Sequence, residues 1–262
     1  MSFADLVTPI KLAQVLAVGL VGVYTYRKDM LNATGAFTAF VMGALIVLFT
    51  NLLWLLLLFA LLGLGSAATR FRFAEKQAKK VSERSGGRRS TRNVIANGAV
   101  PALLAVLAPL VATTWSANAA AVGYVSAIAV AGADTFASEF GSLAKRVRLI
   151  TTFKVVPAGV DGGVSWQGQA AAVAGAALIS LLGALFLGIV PTELHLTDAP
   201  LMRVTLGTVL LPIAMGFLGC QVDSVLGATL EGGGLFTKEE TNLASIVVGG
   251  VLGLLLAWVW GL

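Results

Sequence analysis

Carboxylates and carboxamides recur in this chain where the surrounding apolar sequence makes them costly. AVAGADTFASEFGS carries Asp134 and Glu139, GCQVDSVLGATLEGGG carries Asp223 and Glu231, and RNVIANGAVP carries Asn93 and Asn97. VVPAGVDGGVS sets Asp161 beside Gly162, and TNLAS holds Asn242. An acid inside a membrane segment costs about 2.5–3.5 kcal/mol on insertion scales, so such residues mark functional sites. In sequence, no basic residue lies within a helical turn of Asp134, Glu139 or Asp223. Magnesium accounts for several carboxylates at one place, because it takes oxygen ligands and commonly combines one or two carboxylates with substrate phosphates. Glycine-rich loops at helix N-termini supply amide donors to phosphate oxygens. Together these residues point to phosphoryl chemistry.

Taken singly, each has a plainer reading. Asp161 suits a turn before glycine, Asn242 a helix N-cap, and Asn97 a hydrogen bond between helices. Asp134 and Glu139 stand about 140° apart on a straight helix, so they need a kink or two different roles, whereas Ser138 shares the face of Asp134. Other chemistries are excluded. There is no GxxxxGK[ST] loop, and the single Cys220 rules out an intrachain disulfide or a multi-cysteine zinc site. The single histidine, His195, falls in the 191–202 loop on the side opposite the acids, which removes a Ser-His-Asp triad.

The elements that must position these residues are membrane helices. The chain has 262 residues, 57% hydrophobic and 12% charged, against about 25% charged in soluble domains. Charge-free runs such as LLWLLLLFALLGLGSAAT meet the roughly 20 residues that a helix needs to span a bilayer. The expected fold is all-α, a polytopic transmembrane bundle of about 7–8 helices forming a single membrane domain over 1–262. Helices are expected at roughly 8–26, 34–50, 52–70, 93–112, 117–140, 166–190, 203–230 and 243–261. Asn51 separates the second and third as either a tight hairpin or a break in one long element. The stretch 10–26 lacks a basic n-region and a cleavage site and reads as a retained helix.

The loop at about 70–92 holds nine basic residues against Glu75 and Glu83. With Arg27 and Lys28, the 145–154 cluster and Lys238, it falls on one side, leaving only Lys11 and Arg203 of 18 basic residues on the other. The positive-inside rule makes that side cytoplasmic, and the acids and amides of five segments converge there. Phe71 to Val81 is expected to form a short interfacial helix. The basic loop suits anionic membrane lipid or phosphate groups, and the membrane setting leaves no nucleic-acid partner.

The strings ANGAVPALLAVL, ADTFASEFGS, VPAGVDGGVS and DSVLGATLE, in this order and these helix contexts, resemble the membrane family that includes plant and cyanobacterial phytyl-phosphate kinase. The resemblance runs from about Leu31 to the C-terminus. Departures are Ala99 for an expected Gly, Ala158 for Pro and Glu231 for Gln, all flanking the motifs. The resemblance implies phosphorylation of a polyprenyl (phytyl or geranylgeranyl) monophosphate to the diphosphate by a nucleoside triphosphate, CTP by analogy, in an inner or thylakoid membrane. On this reading Asp134, Glu139 and Asp223 hold magnesium. Asn97, Asp161, Gly162, Asn242, Arg70, Lys76, Arg88 and Arg92 then hold substrate phosphates, and the prenyl tail lies between helices. A membrane nucleotidyltransferase forming a CDP-lipid, and a lipid or ion transporter, are the alternatives.

Overall fold

The computed structural model describes residues 8–79, 88–110, 114–194 and 201–262. Nine helices are seen among these residues: α1 (Pro9–Arg27), α2 (Ala33–Phe49), α3 (Leu52–Arg70), the short α4 (Phe73–Ala78), α5 (Thr91–Leu107), α6 (Thr114–Gly141), α7 (Trp166–Glu193), α8 (Leu206–Glu231) and α9 (Lys238–Val259). Six of them are long and apolar enough to cross a membrane, and α2 and α5 are shorter apolar helices of 17 residues. Seventeen residues rise about 26 Å, the lower limit for a span. The chain is therefore an integral membrane protein.

Short polar residues punctuate the helices. Asn51 Oδ1 accepts the Leu53 N–H at 3.0 Å, so α3 starts afresh after Thr50 and is not a continuation of α2. Thr237 and Glu240 form a reciprocal capping box, which satisfies two orphan amides and starts α9 at Lys238, five residues before the expected 243. Asn242 therefore lies inside the helix and is not its cap. Between α6 and α7 the expected loop contains three short antiparallel strands, β1 (Val147–Leu149), β2 (Val155–Val156) and β3 (Gly163–Val164), in the order β2-β1-β3. Arg148 pairs with Val155 on one side and Val164 on the other.

α6 is the central element. Its segment AAAVGYVSAIAVAGA is buried throughout, and small residues let its neighbours approach closely. A Cβ on Gly175 of α7 would come within 2.7 Å of the Gly132 carbonyl, and one on Gly216 of α8 within 2.9 Å of the Ala129 carbonyl. On the α3 side, Tyr124 donates to the Trp54 carbonyl at 2.6 Å, its ring centroid 4.8 Å from that of Trp54. α6 thus fixes α3, α7, α8 and α9 around itself. At the end away from the acids, Asn118 accepts from Arg203 N at 2.7 Å and donates to the Leu262 carbonyl.

Candidate functional site at one end of the bundle

The start of α5, the end of α6, the β1–β3 segment, the end of α8 and the start of α9 enclose one polar cavity of about 770 Å3. This volume is within the usual range for small-ligand sites. Asp134 comes from α6 and Asp223 from α8, and their carboxyl groups meet at hydrogen-bonding range. Asp223 is held from α9: Ser245 Oγ lies 3.2 Å from its Oδ1, and the Asn242 amide, with its nitrogen turned inward, donates to Oδ1 at 3.3 Å and to the Lys238 carbonyl at 3.1 Å. The charge of Lys238 acts on Asp134, Asp223 and Glu231.

The small sheet and its loops supply the opposite wall. Gly162 adopts φ +72°, and a Cβ there would sit 2.6 Å from the Ser224 carbonyl and 2.4 Å from the Ala228 Cβ. Only glycine lets the loop seat itself on α8. Opposite it, α8 opens into a wider turn over Gly227–Glu231, with Gly232 N–H bonded to the Gly227 carbonyl at 2.9 Å. Such turns often occur at functional sites. The Asp161 side chain is exposed to the cavity, where its charge is felt by Glu231.

Glu139 does not join the acid pair. It lies 140° round α6 from Asp134, as a straight helix requires, and its two oxygens are bound by Thr69 Oγ1 at 2.7 Å and Lys76 Nζ at 2.5 Å. Lys76 is itself buried and also donates to the last carbonyls of α3, Ala68 at 2.7 Å and Thr69 at 3.3 Å. The lysine expected to hold phosphate is thus spent on Glu139. The missing local partner of Glu139 arrives from 63 residues away in sequence.

The other expected phosphate ligands divide. Arg88 lines the cavity and is paired with Asp29, whereas Arg70 donates to the Lys28 carbonyl at 3.2 Å and lies outside. Arg92 is exposed, near Glu240. Asn97 is also outside the cavity: it donates to the Asn93 carbonyl at 2.9 Å and lines a separate apolar crevice. Asn93, one of the amides read from sequence at this level, lines the site, whereas Arg89, Lys238 and Ser245 belong to it and were not singled out for it from sequence. Asn93 was legible as a polar residue at the right depth, but nothing local distinguishes Arg89 from Arg88. His195 lies outside the described residues, as does the 80–87 segment of the basic loop.

A magnesium ion is tested against this donor set. Asp134 and Asp223 fit: two acids pressed together at an open polar cavity supply the one or two carboxylates that magnesium uses beside phosphate oxygens. Glu139 does not fit, because both its oxygens are engaged. Among the described residues, no three acidic, histidine or cysteine side chains cluster to hold a metal by themselves, so substrate oxygens are needed to complete the shell.

The motifs around this cavity lie within residues 16–254, which match the family described as integral membrane protein DUF92. The chain belongs to that family. An uncharacterised membrane protein of Methanocaldococcus jannaschii is 35% identical over 243 residues, covering 92% of each chain. The chloroplast protein VTE6 of Arabidopsis thaliana is 28% identical over 236 residues, 86% of this chain and 65% of that one. An uncharacterised membrane protein of Synechocystis is 30% identical over 207 residues, 78% of this chain and 73% of its own. No solved structure matches the chain. The DUF92 membership accounts for the membrane bundle and leaves the chemistry to be argued from the cavity.

Proposed function

We propose that this protein is a membrane kinase that phosphorylates a polyprenyl monophosphate, such as phytyl or geranylgeranyl phosphate, to the diphosphate with a nucleoside triphosphate, CTP favoured. The observation that carries the reading is the Asp134–Asp223 pair lining a polar cavity with Lys238, Arg88 and Arg89 around it. Acids to hold a divalent cation, bases for phosphate and a glycine loop are the parts that phosphoryl transfer uses. The motif resemblance to the phytyl-phosphate kinase family, and the similarity to VTE6, support the same substrate class. The basic residues of the loops on this side support a cytoplasmic face, or its equivalent in a thylakoid, for the reaction.

Magnesium bound by Asp134 and Asp223 would supply charge neutralisation for the donor phosphates. The protein's own groups position and exclude. Asn242 and Ser245 fix the Asp223 carboxylate, and the Gly162 loop closes the wall against α8. An acceptor phosphate oxygen attacks the γ-phosphorus, that P–O bond forms, the bond from γ-phosphorus to the bridging oxygen breaks, and nucleoside diphosphate leaves. The attacking oxygen is already anionic, so no general base is required.

The test is an assay of purified protein with several prenyl monophosphates and each nucleoside triphosphate. Prenyl diphosphate and nucleoside diphosphate are expected. Release of pyrophosphate with a CDP-lipid would replace the kinase by a nucleotidyltransferase, and no product with any pair would remove both.

A further inference from the structure

Beside the polar cavity lies a second, apolar space of about 80 Å3 between α2, α3 and α5. Met42, Leu55, Leu58, Phe59 and Gly98 contribute to its lining, and among the described residues Arg89 and Asn93 are shared with the polar cavity. An apolar crevice meeting a polar cavity at an arginine and an amide has the shape of a site for an amphiphile whose head is an anion.

The Arg89 position is built. Its N–H donates to the Met30 carbonyl at 3.0 Å and its carbonyl accepts from Asn32 N at 3.1 Å, forming a parallel bridge with Leu31. Gly65 of α3 makes room for its guanidinium: a Cβ there would come within 2.3 Å of an Arg89 Nη. One residue further, Ser90 caps α5, so the helix N-terminus and its amides face the same place. Asn93, in the first turn, lines both spaces and has a side-chain oxygen buried without a hydrogen-bond partner; with the amide turned about, its NH2 donates to a phosphate oxygen.

We infer that the crevice between α2, α3 and α5 receives the first isoprenoid segment of the acceptor, whose phosphate is held at Arg89 and the start of α5, between the crevice and the acid pair. This rests on the kinase reading for its substrate and adds where that substrate lies. The donor phosphates are left with Asp134, Asp223 and Lys238, so donor and acceptor approach from opposite sides. Met42 and Gly98 become specificity-determining residues. A Cβ on Gly98 meets only the terminal methyl of flexible Met42, at 2.8 Å, so a larger residue there fills the crevice without disturbing backbone.

The test uses geranylgeranyl monophosphate bearing a photoreactive diazirine on its first isoprenoid unit, with the wild-type protein in nanodiscs. Labelling is expected on peptides holding Met42, Leu58 or Phe59, competed by unlabelled geranylgeranyl monophosphate but not by geranylgeraniol or phosphatidic acid. Label on α6–α9, or equal competition by phosphatidic acid, overturns the inference. Separately, Gly98→Leu is expected to raise KM for the prenyl monophosphate about tenfold or more, with KM for the nucleotide unchanged; unchanged KM for both overturns it. The two readings fail separately. Turnover with the label elsewhere defeats this site and leaves the kinase, whereas labelling of the crevice without turnover defeats the kinase and leaves a prenyl-phosphate site.

Discussion

Replacing Lys76 by Met gives a direct measure of what Glu139 does. In the parent, the Lys76 ammonium and the Glu139 carboxylate lie 2.5 Å apart with side chains 2% and 10% exposed. Met keeps the apolar stem of the lysine but leaves the carboxylate with only the Thr69 hydroxyl and removes the ammonium from the Ala68 and Thr69 carbonyls, of which Ala68 keeps the Phe71 N–H at 3.2 Å. Removing one partner of a buried pair costs about 3–5 kcal/mol, because the remaining charge is left uncompensated. Lys76→Met is therefore expected to destabilise the protein by that amount, and Glu139→Gln by a similar amount. The double variant Lys76→Met/Glu139→Leu, which removes both charges, should recover most of the loss. The assay is thermal unfolding of these variants, and of Glu139→Leu to close a double-mutant cycle, in detergent, with turnover expressed per folded molecule. The pair latches α4 to α3 and α6, so turnover per folded molecule should survive in the double variant. A Lys76→Met protein as stable as the parent would refute the latch. A stable Glu139→Gln protein without turnover would return Glu139 to the metal site.

Asp134→Asn and Asp223→Asn should each lower turnover by roughly a hundred- to a thousandfold with folding intact; because they act as a unit, the double variant should be little worse than either. Near-normal turnover for one of them, measured on folded protein, removes the pair from the site. Exhaustive chelation should stop turnover and added magnesium should restore it, whereas activity that survives chelation rules out the divalent cation. Gly162→Ala, forced into a left-handed conformation that costs about 1–2 kcal/mol and against Ser224 and Ala228, should lower turnover without changing expression, as read by product formation per folded molecule. Cysteines introduced singly at Lys79 and Lys154 should label only from the cytoplasmic side, and labelling of the two from opposite sides would break the common site.

The helices were legible because apolar runs of this length have one stable solution in lipid. Where the boundary at α9 was misplaced, the local signal existed: Thr237 and Glu240 have capping-box spacing, while the polar KEETN string looked like loop. The convergence of Asp134, Asp223, Asp161 and Asn242 followed from depth alone, since helices that alternate in direction bring those ends together. Depth does not give azimuth. The 140° between Asp134 and Glu139 was readable from sequence, but which neighbour each faces depends on how α3 and α8 pack on α6. Lys76 reached Glu139 through the turn after α3, where Arg72 takes φ 51°, and no local pattern encodes that contact. Arg89 likewise owes its place to Gly35 and Gly65, glycines far away in sequence that make room for its backbone and guanidinium.

The depth of the acid pair favours surface chemistry over transport. Asp134 lies seven residues before the end of α6, about 10 Å along the axis, or one third of a hydrocarbon core about 30 Å thick. Asp223 lies eight residues before the end of α8, at matching depth. Beyond them toward the other face, neither helix carries another charge, and α7 has none before Glu193. α6 below Asp134 is sealed by Ala133, Val130, Ala129 and Ala127, all buried against neighbouring helices. An ion or headgroup crossing the bilayer needs polar partners near the midplane, and here the polar path ends above it. An acid pair about 10 Å from the ends of its helices, with apolar packing beyond it, is the arrangement that the proposed reaction between a water-borne nucleotide and a lipid phosphate needs.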